Sequence, residues 1–477
     1  MDKTLVIPGQ SRISFDGGSQ ALLVLLFFGQ LFFNNGIYLF IGAVFFWMVF
    51  INLQQPLKPS VFTIIFVYHF IQISASVWQS NYIGQPVDYR SPHAGDAIIF
   101  SYIGLAVLII PIIYFQNRIP KISLDALRKH ADQLSIKYSF NAYLISFFIT
   151  NALGGLAFSL GGFAQIVISL MKIKWFFFLL FGFQVILKKR MQWYFYGAIV
   201  FEFLIGLLSY FSDFKTVIFY VGILFIGFLI KVNLKQLIYF LIAGALLFMI
   251  GIKWTSIKGE YRQFLNQGSK SQTVRVEDNE ALSKLVELSS EEGDYDKAAV
   301  NMLDRIQYTY HLSKTMDRVP SVIPYQDGQN WGSILSYTLT PRLLNPSKPK
   351  IDNSVKTSKY TGITYLGSKS GVSFSLGYFT DCYIDFGYYG MMIPLLIIGL
   401  IYGFTYFYFV RKSSANYVFN FAVVGAIYLE FHGFEMDGVY FTGRLLITLL
   451  TFFILQIFAF PWIYDQLKVR KASKHAQ

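Results

Sequence analysis

LIYFLIAGALLFMIGI, at residues 237–252, runs directly into KWTSIKGEYR, at residues 253–262. The apolar part predicts a transmembrane helix, because runs of about this length can cross a hydrocarbon core about 30 Å thick and backbone groups in lipid must be satisfied within the segment. The change at Lys253 begins a polar region that continues to about Phe386, and both of its flanks are largely apolar. The pattern indicates a multi-pass membrane protein with one large hydrophilic loop.

The composition of the whole chain agrees with this class. Of 477 residues, 54% are apolar and only 14% are charged, and the mean hydropathy is +0.47, whereas about a quarter of the residues of a soluble domain are charged. The single cysteine, Cys382, excludes an intramolecular disulfide and is typical of a packed small side chain. We therefore predict an all-α polytopic membrane protein with about 12 transmembrane helices and one large, partly helical extracytoplasmic loop.

The expected domains follow from the apolar runs. Residues 1–252 form an N-terminal bundle of about nine spans, residues 253–388 form the loop, and residues 389–477 form a bundle of about three spans with a basic tail. The expected spans lie at roughly 20–34, 36–52, 61–79, 96–115, 140–158, 163–187, 193–211, 214–231, 235–252, 389–409, 416–432 and 441–463.

The distribution of Lys and Arg sets the expected orientation. The polar region up to Phe386 holds 16 Lys/Arg and 15 Asp/Glu, so it contributes only +1 to the chain's net charge of +13. Short basic loops face the cytoplasm, and with twelve spans all the basic segments and both termini fall on that side, opposite the loop. Because the positive charge follows the topology, it gives no indication of nucleic-acid binding. The basic segments are 116–139, 188–192, 231–235, 410–416 and the tail from Lys468.

Local patterns predict structure within the loop. Apolar residues recur every four positions in residues 294–317, which predicts a helix with Asp294 or its neighbour as its cap. A shorter helix is predicted near residues 279–290. Asp381 and Asp385 would share one face of a helix, as an acid–base pair or a metal site, or as acids that the dipole favours at a helix start.

The order of motifs along the loop resembles a bacterial family. Gly-Glu-Tyr-Arg at residues 259–262 is followed by Arg305, by Gly328, by Pro-Arg-Leu-Leu-Asn-Pro-Ser-Lys-Pro at 341–349 and by Asp-Cys-Tyr-Ile-Asp-Phe-Gly-Tyr-Tyr-Gly at 381–390. In these motifs and in its layout of spans, the chain is similar to O-antigen and exopolysaccharide repeat-unit polymerases of the Wzy type. The proline-rich motif is the most specific of the matching elements.

The resemblance implies a reaction at the periplasmic face of the bacterial inner membrane. A growing glycan leaves undecaprenyl diphosphate and joins a new lipid-linked repeat unit, with no cofactor and no metal. The implied partners are the lipid-linked oligosaccharide, membrane lipid, a chain-length regulator and a flippase. The family uses extracytoplasmic arginines for the diphosphates, which here implies Arg262, Arg305 and Arg342, with Lys348 as a weaker candidate.

The acceptor hydroxyl needs a base, and the resemblance does not name it. The outer end of the eleventh predicted span and the turn after it carry Glu430, His432, Glu435 and Asp437, on the same side as the loop. His432 is the first candidate because a histidine can serve at neutral pH without a large pKa shift, although an interfacial histidine that meets water would give the same pattern. Arg444 is a further candidate for diphosphate binding, because an intramembrane arginine suggests function, while snorkelling to the interface is the alternative explanation.

Other functions remain open, and a structural scaffold for a glycan assembly complex is one of them. A glycosyltransferase that uses a lipid monophosphate sugar is disfavoured, because such enzymes usually place an acidic residue in the first outer loop, which here is only Asn34-Asn35-Gly36. An O-antigen-type ligase would share the layout and the donor and differ in its acceptor, and the sequence does not separate it from a polymerase. A flippase or transporter of lipid-linked oligosaccharide is disfavoured, because transporters tend to be built from repeated halves and the chain shows no internal repeat beside its one long loop.

Overall fold

The computed structural model describes residues 12–157, 160, 163–209, 214–269, 274–340, 345, 347–349, 351–365, 373–431 and 433–469. Arg342 and His432 lie outside these residues. Within them the regular secondary structure consists of helices and two short strands, β1 (Ser14–Phe15) and β2 (Lys231–Val232), which pair in parallel. The prediction of an all-α protein is confirmed.

Eleven helices precede or enter the polar region among the described residues. They are α1 (Gly17–Gly29), α2 (Gly36–Leu53), α3 (Val61–Tyr82), α4 (Ala94–Asn117), α5 (Leu124–Asp132), α6 (Ile136–Ala157), α7 (Ala164–Met171), α8 (Ile173–Lys188), α9 (Gln192–Leu208), α10 (Phe214–Gly227) and α11 (Leu234–Leu265).

Shorter helices follow in the polar region, and long helices return after it. The short ones are α12 (Asp278–Ser290), α13 (Tyr295–Ile306), α14 (Thr309–Met316), α15 (Gln329–Leu339) and α16 (Asn353–Thr361). The remaining helices are α17 (Tyr378–Gly390), α18 (Met392–Lys412), α19 (Tyr417–Tyr428), α20 (Gly438–Phe458) and α21 (Phe460–Leu467).

Several of these helices could cross a membrane. Among the described residues, seven helices are long and apolar enough: α2, α3, α4, α7 with α8, α11, α18 and α20. Shorter apolar helices lie at Gly17–Phe32, Gln192–Leu208, Phe214–Gly227 and Tyr417–Phe431. A membrane protein is therefore supported, and the count of twelve spans stays a prediction.

Hydrogen bonds define the two ends of the bundle. At one end, the Asn35 amide before α2 donates to the side chain of Asn81 near the end of α3, at 2.8 Å. Helices α12 to α16 lie at this end, which we call the loop face. At the other end, the buried Lys58 ammonium donates to the carbonyl of Gln116 at 2.8 Å and closes the end of α4. We call this end the basic face, because the predicted basic segments lie there.

Helix α11 does not end where the polar sequence begins. The helix continues past Lys253 to Leu265, and the domain boundary expected at Lys253 stays a prediction. Tyr261 and Leu265 are fully buried against Leu285 and Leu288 of α12. This packing stabilises three further turns of helix beyond the apolar run, which local hydropathy does not indicate.

The helix expected at residues 294–317 is divided in two. Asp294 caps α13 as predicted, because its side chain accepts from the backbone N–H of Lys297 at 2.9 Å. The break falls at Gln307 and Tyr308. The Gln307 amide donates to the Gln79 side chain at 2.7 Å, and the backbone N–H of Tyr308 donates to the carbonyl of Gln72 at 3.3 Å. These two bonds attach the break between α13 and α14 to α3.

Candidate functional site

A basic cavity lies between α11 and α13 at the loop face. Lys258 and Arg262 are one helical turn apart on α11 and therefore share a face, and Arg305 projects from α13 into the same cavity of about 330 Å³. Lys215, at the start of α10, adds a further positive charge near Lys258. We call this site the loop-face cavity. Two of the arginines carried over from the resemblance thus meet, although 42 residues separate them in sequence.

The carboxylate at the edge of this cavity is already occupied. Asp304 lines the cavity, but its Oδ1 accepts from Arg90 at 2.5 Å and from the Gln79 and Gln307 amides at 3.2 and 3.0 Å. Burial opposes its charge, but these bonds and the charge of Arg90 outweigh burial and lower the pKa of Asp304. Asp304 is therefore ionised and paired with Arg90, which lies outside the group formed by Lys258, Arg262 and Arg305.

Helix α3 connects the cavity to the turn between α19 and α20. Its buried Gln79 holds Asp304, as above, and its buried Gln72 donates to Glu435 Oε2 at 2.7 Å. Seven residues are two helical turns, so these two glutamines point the same way and lie about 10 Å apart along the axis. Glu435 and the edge of the loop-face cavity are therefore held by the same helix, on the same side.

An aromatic stack fills the space beside this connection. The His311 ring lies 5.1 Å from that of Tyr308 and 5.8 Å from that of Tyr365. Burial lowers the pKa of His311 to about 4, so the imidazole is neutral at pH 7. Within the described part of the chain, neither ring nitrogen has a hydrogen-bond partner. Sequence reasoning missed this histidine, because a histidine on a loop helix carries no distinguishing pattern.

Asp437 serves as the N-terminal cap of α20. Its side chain accepts from the backbone N–H groups of Val439 and Tyr440 at 2.9 and 3.0 Å, and its other oxygen accepts from the Asn353 amide at 2.6 Å. Burial, and then the charge of Asp381, raise the pKa of Asp437 to about 6. These bonds occupy both oxygens, which leaves Glu435 as the less engaged of the two predicted carboxylates.

The predicted carboxylate pair of α17 also has protein partners. Asp385 accepts from the backbone of Asn330 and Trp331 at 3.0 and 2.7 Å and so caps α15. Asp381 accepts from the Lys356 ammonium at 2.5 Å and from the Gly438 N–H at 2.7 Å. Among the described residues, no three His, Cys, Asp or Glu side chains are grouped as metal ligands. Both acids act here as helix caps.

Arg444 lies in a different cluster, within the bundle. Its guanidinium pairs with Glu430, which also pairs with Lys172. Lys172 donates in addition to the Thr448 hydroxyl at 2.5 Å, and the Arg444 guanidinium lies 3.9 Å from the centre of the Tyr440 ring. We call Lys172, Glu430 and Arg444 the bundle triad. Sequence reasoning named Arg444 and Glu430 separately, as candidates for diphosphate binding and for the base, but did not pair them and gave Lys172 no role.

The remaining predicted residues divide into two groups. The Lys348 ammonium donates to the carbonyls of Tyr337 and Thr340, the latter at 2.8 Å, and so closes the end of α15. It is therefore engaged in structure and does not join the loop-face cavity. Arg342 and His432 lie outside the described residues, and their roles stay predictions. Lys258, one turn before Arg262, is an addition that a continued α11 would have indicated.

Comparison with known proteins assigns a family. No match to the chain was found among curated proteins or among solved structures. One family model, described as "Domain of unknown function (DUF8712)", matches residues 38–425. Since this match covers most of the chain, from α2 to α19, the protein belongs to the DUF8712 family.

Proposed function

We propose that the protein is a membrane-embedded enzyme that polymerises oligosaccharide repeat units carried on undecaprenyl diphosphate. The observation that carries the proposal is the loop-face cavity, where Lys258, Arg262 and Arg305 converge. A diphosphate is the ligand that such a group suits, because guanidinium groups donate paired hydrogen bonds to phosphate oxygens and keep their charge at any physiological pH. The resemblance of the loop motifs described above supports a carrier whose diphosphate is attached to a glycan on one side and to a lipid on the other.

The proposed chemistry is substitution at the sugar carbon that bears the diphosphate. The bond from this carbon to the diphosphate oxygen breaks as a hydroxyl of the incoming unit attacks, and the hydroxyl proton passes to a base. Negative charge develops on the departing diphosphate, and preorganised cations stabilise it most where charge increases. In this scheme Arg262 and Arg305 hold the leaving group. Burial and the charges of Arg305 and Arg262 lower the pKa of Lys258 to about 7, so Lys258 is only partly charged at neutral pH and adds less than a full positive charge.

Glu435 is the base that we favour among the described residues. It is partly buried, held by Gln72, and placed on the same side of α3 as the cavity edge, whereas Asp437 is used as a helix cap. His432 stays a candidate from the sequence. Glu435→Gln and His432→Gln in the same polymerisation assay decide between them, because loss of a general base lowers turnover roughly 10²–10⁴-fold. The variant that keeps near-normal turnover is not the base.

The proposed location is the bacterial inner membrane, with the loop face in the periplasm and both termini in the cytoplasm. The support is the concentration of Lys and Arg in the short segments of the basic face. Reporter fusions at Gly293 and Gln477 test this orientation. We expect periplasmic phosphatase activity at Gly293 and cytoplasmic fluorescence at Gln477, and equal signals at both sites would reject it.

The glycan profile of a deletion strain tests the reaction. For a polymerase, a single repeat unit should remain on the final acceptor, and the wild-type gene should restore the polymer. Polymer accumulating on the carrier lipid would instead indicate an O-antigen-type ligase. Single units trapped on the cytoplasmic leaflet would indicate a flippase, and an unchanged profile would reject all three functions.

A further inference from the structure

Helix α11 is exposed on all sides in the middle of its apolar run. Among the described residues, none of the most apolar 18-residue stretch of α11 is buried, whereas 28–67% of the corresponding stretch is buried in the six other candidate spans. Residues 238–250 are all exposed, and a Cβ atom placed on Gly244 would meet no atom of the described residues within 4 Å. A stretch of this length covers about 20 Å of helix, which is most of the depth of a bilayer core.

Both ends of α11, in contrast, are attached to the bundle. At the loop face, the Trp254 ring lies 5.5 Å from that of Phe214 at the start of α10. At the basic face, the backbone N–H of Leu234 donates to Asp16 at 3.3 Å, and β2 pairs with β1 just before the helix. Helix α11 is thus attached to the bundle at two points, and residues 238–250 between these points are exposed.

We propose that the exposed stretch of α11, residues 238–250, is the docking surface for the hydrocarbon chain of a lipid whose phosphate headgroup binds in the loop-face cavity. The cavity lies directly above the exposed stretch on the same helix, since Ile250 and Lys258 are about 12 Å apart along the axis. The cations match a phosphate headgroup, and the apolar residues below them match an acyl or isoprenoid chain. The inference rests on the proposed function for the identity of that lipid.

The residues of the exposed stretch favour a lipid over a second protein helix. Helix pairs in membranes commonly use small residues four positions apart or polar side chains that bond across the interface. Ala243, Gly244 and Ala245 are each followed four positions later by a large apolar residue. Tyr239 is the only side chain in residues 238–250 with a polar group. The stretch lacks the features that hold two helices together.

Photo-crosslinking in vesicles tests the proposal without any sugar transfer. The probes are a diazirine-bearing C55 isoprenoid phosphate, the matching isoprenoid alcohol and a diazirine-bearing phosphatidylcholine. Peptide mapping should show the phosphate probe on residues 238–250 about tenfold above the other two, because one charge-assisted hydrogen bond contributes at least that ratio. Inorganic diphosphate should compete with it, which would identify the headgroup as the part that is recognised.

Variants separate the cavity from general surface charge. Arg262→Gln combined with Arg305→Gln should reduce phosphate-probe labelling to the level of the alcohol. Lys297→Gln, on an exposed part of α13 outside the cavity, removes a positive charge and should leave labelling unchanged. Equal labelling by the phosphate probe and phosphatidylcholine, or labelling that survives the double change, would overturn the proposal.

A second copy of the chain is the competing occupant, and the substitution Leu246→Cys tests it. Leu246 is 53% exposed, and a simultaneous Cys382→Ser change removes the native, buried cysteine. An efficient disulfide between two chains that carry Leu246→Cys would overturn the proposal in favour of a dimer, and the lipid proposal expects none. The two proposals can also fail separately. If the phosphate probe labels the protein as expected but the deletion strain has an unchanged glycan profile, the polymerase function is rejected and the lipid-phosphate site is retained.

Discussion

The loop-face cavity and the bundle triad both concentrate positive charge, but they balance it differently. In the cavity, a lysine and two arginines meet around about 330 Å³ of space, and the adjacent carboxylate is already paired with Arg90. In the triad, Glu430 forms ion pairs with both cations, and the side chains of Lys172, Glu430 and Arg444 are only 10%, 15% and 26% exposed. The first arrangement surrounds a space that an anion can enter, whereas in the second arrangement Glu430 compensates the two cations within the bundle.

This difference separates two roles that the sequence presents alike. An arginine in the loop and an arginine in a span are both candidates for a diphosphate. The partners decide, because a buried cation needs compensation in the folded state, whereas a cation beside a cavity can be compensated by a ligand. We therefore expect changes in the triad to act on stability first and changes in the cavity to act on activity first.

The largest effect on stability should come from Glu430→Gln. The change leaves Lys172 and Arg444 without their shared carboxylate, and breaking such a buried pair destabilises a protein by about 3–5 kcal/mol. Thermal unfolding in detergent measures the loss. Adding Arg444→Met should restore part of it, because the surplus cation is then removed, and strictly additive losses in the double variant would contradict the triad.

A surface pair provides the control for this change. Glu260 lies 3.2 Å from Lys284, and its side chain is 58% exposed. Glu260→Gln should lower stability by less than about 1 kcal/mol, as for most exposed ion pairs. A loss equal to that of Glu430→Gln would show that removing any carboxylate near the loop face is harmful, and the contrast would fail.

The next effect is a pH dependence at Asp437, the other end of the turn that carries Glu430. Its pKa is about 6 in the folded protein against an ordinary value of 3.8, so the folded state binds more protons than the unfolded state between these values. Stability contributed by this group is therefore present below about pH 4 and falls as pH rises to about 6, by up to about 3 kcal/mol.

Asp437→Asn measures this contribution. Asparagine caps a helix about as well as aspartate but does not titrate, so the melting temperature of the variant should fall less than that of the wild type over the same pH range. Polymerisation should continue, because Asp437 acts here as a cap. Loss of polymer from a variant with an unchanged melting temperature would instead restore the catalytic role that the sequence suggested.

In the cavity, single changes should reduce activity with little loss of stability. Arg262→Ala or Arg305→Ala removes charged hydrogen bonds of about 1.5–3 kcal/mol each, which corresponds to roughly 10- to 100-fold weaker binding of the diphosphate. Arg→Lys should restore little, because a point charge does not reproduce the paired donors. Polymer length in cells and lipid-diphosphate binding by purified protein are the measurements. Normal polymer length from both alanine variants would contradict a diphosphate site in this cavity.

The sequence predicted the apolar helices well because lipid imposes a local rule. A run that crosses a bilayer must be apolar and helical, so residues 61–79 and 96–115 foretold α3 and α4 to within a few residues. The rule does not hold once the chain leaves the membrane. The extension of α11 depends on the packing of Tyr261 against α12, and the break at Gln307 depends on its hydrogen bond to Gln79. In both cases the two partners are distant in sequence, so the local sequence pattern does not indicate the contact.

The candidate site was only partly predictable for the same reason. Arg262 and Arg305 could be named because the resemblance marks them one by one, and the charge of each is a local property. Their convergence, the occupation of Asp304 by Arg90 and the pairing of Lys172 with Glu430 are long-range contacts. Sequence showed which residues can bind an anion, and only the fold shows which of them surround a space that an anion can enter.

The smallest effect should come from Lys348, which the sequence placed with the diphosphate arginines and the structure places at the end of α15. Its ammonium donates to the carbonyl of Thr340 at 2.8 Å and lies 3.6 Å from the centre of the Tyr337 ring. A cation at a helix C-terminus contributes about 0.3–1 kcal/mol, so Lys348→Ala should lower the melting temperature slightly and leave polymer length unchanged. Lys348→Arg should keep both, because a guanidinium can make the same contacts with carbonyls. A variant Lys348→Ala that folds normally but loses polymer as completely as Arg305→Ala would return Lys348 to the diphosphate site and show that α15 moves to meet the substrate.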